Sequence, residues 1–167
     1  MFEVKPIAKQ AIPRAFEKAE RYRLLNEPWE AESICLDILA IEPEHPQALT
    51  CLLLTLTDQF GTGAAPAQLI DRARQLLPRL KGDYERAYYT GIIRERIGKS
   101  LLLRHRPNAT ADAYEYFRAA MADYERAEEL APADNDDALL RYNCCVRLIQ
   151  FHRLEASPGY DGEQPLE

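Results

Sequence analysis

The sequence predicts an all-α protein made of paired helices, and three observations carry that expectation. Apolar residues recur at i, i+3 and i+4 along most of the chain, the spacing that gathers them on one helical face. No run alternates apolar and polar residues around β-branched side chains, so strands are not expected. Proline and glycine at Pro28, Pro43, Pro46, Gly61, Gly63, Pro66, Pro78, Gly82, Pro107 and Pro132 cut the chain into helix-sized pieces.

Seven helices result. The first, over residues 12–25, places Ala19 and Tyr22 on one side. The second, over 28–41, carries Ala31, Cys35 and Ile38 and is stopped by Pro43. The third, over 46–59, contains the most apolar stretch of the chain, Ala48 to Leu56. The fourth, over 66–79, runs from Pro66 through Ile70 and Ala73 to Pro78. The fifth and sixth, over 83–104 and 109–131, present two stripes to each other: Tyr89, Ile93, Ile97 and Leu101 against Ala113, Phe117, Ala120, Tyr124 and Ala127. The seventh, over 135–153, follows Pro132, with Asp134 and Asn135 as candidate N-caps.

The chain also repeats itself. Ala31, Cys35, Ile38 and Pro43 stand at relative positions 0, 4, 7 and 12; Pro66, Ile70, Ala73 and Pro78 reproduce those offsets, and so do Ala120, Tyr124, Ala127 and Pro132. Pro43 and Pro78 are 35 residues apart. That separation is close to a period of about 34 residues, and with Trp29-Glu30-Ala31 running through Ile41-Glu42-Pro43 to Ala48-Leu49 the chain resembles the tetratricopeptide repeat family. Gly91 and Gly98 carry the family's seven-residue glycine spacing, and Tyr124 to Pro132 closes the third repeat. The resemblance covers about residues 12–153 and implies a right-handed α-α superhelix of three hairpins, closed by the seventh helix as a cap with a polar outer face. A single domain over residues 1–154 and a polar tail over residues 155–167 are expected.

The fit is uneven. The second repeat has Pro66 where the family places a small residue, and a longer Gly61-Thr62-Gly63 connection. In the third, Gly98 and Ala120 are 22 residues apart where the family spacing is about 5, so that hairpin should be elongated and overshoot the stack. Leu102, Leu103, Tyr114 and Tyr116 are then surplus apolar residues near its tip, available for packing onto the cap or for docking a partner or a second copy.

Composition and motifs exclude several functions. A net charge of -6 opposes nucleic-acid binding, which depends on clustered Lys and Arg. The N-terminal residues show no secretory pattern, and Ala48 to Leu56 is too short for membrane insertion, so a cytoplasmic protein is expected. Cys35, Cys51, Cys144 and Cys145 have no zinc-ligand spacing and read as reduced core thiols. Gly61-Thr62-Gly63-Ala64-Ala65 lacks the strand a phosphate loop needs and reads as a turn. Glu42 and His45 are half of a di-iron pair with no second half. His105 is isolated, and Cys145 with His152 has nothing to orient the imidazole. No catalytic residue, metal or cofactor is expected. Arg94, Arg96, Lys99, Arg104 and Arg106 form the densest basic group: either a receiver for an acidic peptide, or a solvated face balanced by Glu95, Asp112 and Glu115. Asn108-Ala109-Thr110 reads as a helix start.

In the family, ligands lie in a concave groove lined by the first helix of each repeat. The resemblance therefore places a protein or peptide against Phe16, Glu20 and Arg23, then Thr50, Leu54 and Asp58, then Tyr88, Ile92 and Arg96, with Asn143 and Arg147 added by the cap. The Lys and Asn clamp of chaperone-binding members is not reproduced, because Phe16, Glu20, Thr50 and Leu54 stand where several of its polar residues would be. A non-catalytic adaptor is the first expectation; a module that self-associates into a homo-oligomer through the third hairpin is the second.

Overall fold

Every regular element is helical in the computed structural model, which describes residues 2–61, 66–103 and 108–157. The helices are α1 (Ile12–Leu24), α2 (Pro28–Ile41), α3 (Pro46–Asp58), α4 (Pro66–Leu76), α5 (Asp83–Leu102), α6 (Ala109–Leu130) and α7 (Asp137–His152), with short 3-10 turns at Lys9–Ala11 and Leu77–Arg79. None is long and apolar enough to cross a membrane.

Local chemistry sets the boundaries. Pro28 and Pro46 occupy first-turn positions of α2 and α3, where a missing N–H costs nothing. His45 caps α3 by accepting the Ala48 N–H at 3.2 Å on Nδ1. The fourth helix ends as a 3-10 turn containing Pro78, which has no N–H to continue the ladder. At α7 the capping expectation fails. Asn135 Oδ1 accepts the Asp137 N–H at 3.0 Å from outside the helix, and the cap position belongs to Asp136, whose side chain makes no capping bond. At the other end Leu154 is buried and closes the packed region, while Glu155 to Ser157 are exposed. The remainder of the tail, like Thr62 to Ala65 and Arg104 to Pro107, lies outside the described residues.

Each helix packs on its sequence neighbours, α1 on α2, α2 on α3, α3 on α4, α5 on α6 and α6 on α7, and α1, α3 and α5 touch in that order. The core runs continuously from Ala19 and Cys35 through Leu53, Phe60 and Ile92 to Tyr124 and Cys145. The third hairpin is the longest, at 20 and 22 residues. Its α6 stripe of Ala113, Phe117, Ala120, Tyr124 and Ala127 is fully buried. The two α6 rings rest on glycine: a Cβ at Gly91 would lie 2.6 Å from the Tyr124 ring, and one at Gly98 would lie 3.0 Å from the Phe117 ring. The seven-residue spacing of the glycines thus matches the seven-residue spacing of the rings. Ile93, Ile97 and Leu101 are buried as expected, but the row under the rings is Gly91 and Gly98, with Glu95 between them.

Glu95 is a correction to the sequence reading, which put it on a solvated face. It is fully buried and binds three partners: Lys99 one turn along α5, the Tyr124 hydroxyl of α6 at 2.7 Å, and Arg141 Nη1 of α7 at 3.2 Å. Burial works against its ionisation, but the Lys99 hydrogen bond and charge, the Tyr124 hydroxyl and Arg141 more than offset it, and the carboxyl titrates below its usual range. At the hairpin tip, Leu102, Tyr114 and Tyr116 pack against the core. Leu103 stays 69% exposed, with its Cδ1 against Gly61.

Two predictions follow from the α5–α6 contact. Gly91→Ala pushes a methyl into a buried ring, so it should destabilise by about 1–2 kcal/mol in urea unfolding despite the helical preference of alanine, and Gly98→Ala, with a looser contact, should cost less. Because the Glu95 carboxyl is depressed in the folded state, its contribution is fully present above its unfolded value and is lost as pH falls through the folded one. Wild type should therefore lose more stability than Glu95→Gln as pH falls below the ordinary carboxylate value of 4.5, read as the narrowing gap between their urea midpoints.

Candidate functional site: a groove across alternate helices

The faces of α1 and α3 and the connection into α5 enclose a groove of about 560 Å³. Its floor is apolar, made by Phe16, Leu49, Leu54 and Leu80; Glu20, Arg23, Gln47, Thr50 and the connector residues Arg79 and Lys81 supply polar edges. Five expected groove residues, Phe16, Glu20, Arg23, Thr50 and Leu54, share this one depression. They fall together because 16, 20 and 23 share a face of α1, as 50 and 54 do on α3, and the two helices touch. The Phe16 ring is also held by the His45 imidazole, with centroids 6.1 Å apart.

The other six are not groove lining. Asp58 sits past the floor and bridges alternate helices, receiving Arg23 Nε at 2.8 Å and Arg96 Nη2 at 3.2 Å. Arg96 is thereby committed to holding α5 against α3. Tyr88 is half-buried in an aromatic cluster with Tyr84, Tyr89 and Tyr124, at centroid distances of 5.7, 5.1 and 5.9 Å. Ile92 is fully buried and belongs to the core. Asn143 and Arg147 lie on α7, half-buried and exposed respectively, away from the lining. The groove meets α5 only at its first turn, through Glu85, because the rest of that helix is covered by α6 and by the ion pair to α3. Pro46, Gln47, Leu49 and Cys51 on α3 were missed, and so were Leu24, Glu44, Arg79, Leu80, Lys81 and Glu85, since the family positions take only a few residues of each first helix and most of these six stand in connectors or at helix ends.

Charge inside the groove is largely settled. Arg23 is paired with Asp58, and Arg79 reaches Glu44 at 3.4 Å and the Pro43 carbonyl. Glu20, Lys81 and Glu85 line it without an ion pair among the described residues. The basic group dissolves into pairs: Arg94 grips Asp123 at 2.8 and 2.9 Å, Arg96 goes to Asp58 and Lys99 to Glu95. Arg104 and Arg106, with His105, are outside the described residues.

The remaining chemical candidates part company. His45 caps α3 while Glu42 pairs with Lys9 at 3.2 Å. Cys145 is buried and His152 exposed against Phe151; burial and then the Glu95 charge push the Cys145 thiol up to about 12. Cys144 is half-buried rather than in the core. Cys51 lines the groove and accepts a hydrogen bond from Cys35, which holds the Cys51 thiol below its usual range while the same contact, with burial, pushes Cys35 up. Among the described residues no group of three or more His, Cys, Asp or Glu side chains is placed to hold a metal ion.

No protein-family model matches the sequence, and no curated protein or solved structure is detectably similar to it. Fold and geometry define an all-helical protein of packed adjacent helices with an apolar-floored groove across α1 and α3.

Asp58→Ala leaves two guanidiniums facing each other where one carboxylate held both. It should lower stability by about 1 kcal/mol, a modest figure because all three side chains reach solvent, and the loss should shrink in high salt, as read by thermal unfolding with and without added NaCl.

Proposed function

We propose that the protein is a tetratricopeptide-type adaptor, in which α1–α2, α3–α4 and α5–α6 are three stacked hairpins of a right-handed superhelix and α7 is its cap. Its groove holds a segment of another protein, and the molecule performs no chemistry of its own. The observation that carries this reading is the convergence of Phe16, Glu20, Arg23, Thr50 and Leu54 on one depression of about 560 Å³ with an apolar floor. A floor of that kind between polar edges suits a peptide that buries one or two apolar side chains and orients itself through its backbone and flanking charges.

Two further features support a binding role over a catalytic one. The single thiol in the groove, Cys51, is engaged with Cys35 rather than with a base. Two of the three cations that a phosphate or carboxylate would need, Arg23 and Arg79, already have carboxylate partners. A nucleic-acid ligand finds a single unpaired cation there among the described residues, Lys81, beside the carboxylates of Glu20 and Glu85, and a cytoplasmic location fits the same picture. Self-association through the third hairpin has less support, because Leu102, Tyr114 and Tyr116 pack against the core.

The test is affinity capture from native lysate with quantitative mass spectrometry, comparing wild type with a Phe16→Ala, Leu54→Ser variant shown by circular dichroism to fold. At least one protein should be enriched by wild type and fall by about tenfold or more with the variant, the size of loss expected when a central apolar anchor is removed. A folded variant that retrieves the same proteins in the same amounts would sink the reading.

A further inference from the structure

The last helix departs from what the end of a stack of hairpins requires. Such a helix is expected to turn a polar face to water. Instead α7 leaves Leu140 63% and Phe151 81% exposed, with Cys144 half-buried between them. These positions are i, i+4 and i+11, a single stripe along the helix. The other side of α7 is in use: Ala138 and Cys145 are buried, and Tyr142, Leu148 and Ile149 pack against the core. The helix thus has one apolar side that the fold consumes and a second that it does not.

What would cover the second side is indicated by the rest of the chain. α1 is covered by α2, α3 by α4 and α5 by α6, whereas no helix follows α7 among the described residues. The covering helices share a pattern. In α2, Ala31, Cys35 and Ile38 are buried at relative positions 0, 4 and 7, and in α6 Ala120, Tyr124 and Ala127 are buried at the same offsets. Their other faces carry carboxylates, with Glu30 exposed and Asp37 half-buried on α2 and Glu125, Glu128 and Glu129 exposed on α6. The surface of α7 has the matching sign over its second half: Asp136 and Asp137 are exposed at its start and Glu155 follows its end, but the exposed charges beside Cys144 and Phe151 are cationic. Arg147 lies within the exposed stripe and Arg153 just beyond the helix end; both are exposed and neither has an ion pair among the described residues. On a chain of net charge -6, two free guanidiniums beside the C-terminal half of an uncovered apolar stripe select a partner that brings carboxylates to that half.

We propose that the outer face of α7 binds an amphipathic helix of another protein, one that presents small and apolar residues at the 0, 4 and 7 spacing and carries Asp or Glu along its flanks. The partner helix takes the place that α2, α4 and α6 hold against their own preceding helices. Leu140 and Phe151 anchor it, and Arg147 and Arg153 pair with its acidic edge. This surface is separate from the groove, and the proposal stands whether or not the groove binds a peptide.

A probe is available in the chain's own grammar: a fluorescein-labelled synthetic peptide with the sequence of residues 27–43, and a second in which Glu27, Glu30, Glu32, Asp37 and Glu42 are all replaced by Lys. Titrated with the full chain and followed by anisotropy, the acidic peptide should saturate with a Kd on the order of 10 μM, the strength expected of one short helix on one face. Binding should weaken about tenfold or more with a Leu140→Asp, Phe151→Asp double variant, whose substitutions lie in solvent and leave the fold intact by circular dichroism. The Lys peptide should bind wild type more weakly than the acidic one, and Arg147→Glu should narrow or invert that preference. Phe16→Ala, Leu54→Ser should bind like wild type, which separates this face from the groove. Equal binding by wild type and the Leu140→Asp, Phe151→Asp variant would overturn the proposal, as would no saturation at several hundred micromolar. So would light scattering that shows a wild-type dimer dissolved by Leu140→Asp, because the occupant would then be a second copy.

Discussion

Two amphipathic helices fix their own contact by apolar packing, but such packing is tolerant of sliding, and the register of one element on the next needs a directional interaction. In this protein buried or half-buried carboxylates provide it, each tying together three elements. Glu32 of α2 receives Gln59 Nε2, just past α3, at 2.8 Å and Arg72 Nη2 of α4 at 2.5 Å. Asp58 of α3 joins α1 to α5 through Arg23 and Arg96. Glu95 of α5 joins α6 to α7 through Tyr124 and Arg141. A buried carboxylate left without partners is strongly destabilising, so each of these sites tolerates only the arrangement that brings its donors within reach. The groove depends on this directly: its α1 and α3 walls are held at one spacing by the Arg23 and Asp58 pair at its end.

The helices were legible in the sequence because their signals are local. Proline at 28, 43, 46, 78 and 132 acts within one turn of where it stands, and the boundaries of α2 and α3 follow from it almost to the residue. The offsets of Ala31, Cys35 and Ile38, and of Ala120, Tyr124 and Ala127, were legible for a related reason, since small and apolar residues at helical spacing identify the buried face without reference to its partner. Gly91 and Gly98 were recognisable as a spacing. Their cause, the Tyr124 and Phe117 rings lying over them, needed the structure.

Long-range polar pairing was the part that sequence reasoning could not reach. Arg94, Lys99 and Glu95 look alike in the sequence, as charges on a helix, yet Glu95 is buried because a tyrosine 29 residues away and an arginine 46 residues away converge on it. Three of the expected groove residues fell outside it through a phase problem. Positions 16, 20 and 23 of α1 and 50 and 54 of α3 face the depression, but the same logic carried into α5 selects Tyr88, Ile92 and Arg96, and these are turned into an aromatic cluster, the core and an ion pair. The longer α5 is gripped by α6 along its length, so its orientation is set by the glycine row and not by the groove.

The distribution of charge then shapes what each surface can select. In the groove, bringing a carboxylate to Arg23 or Arg79 requires displacing Asp58 or Glu44, which cancels most of the Coulomb gain, so, Lys81 apart, discrimination there falls to apolar fit on Phe16, Leu49, Leu54 and Leu80. On α7 the cations have no such competitors among the described residues, and a partner's acidic side chains meet them at the cost of their own desolvation alone. One surface therefore reads shape and the other reads charge together with shape. The difference arises because Asp58 and Glu44 neutralise the groove arginines from within the fold, whereas the described part of α7 and its flanks offers Arg147 no carboxylate in reach.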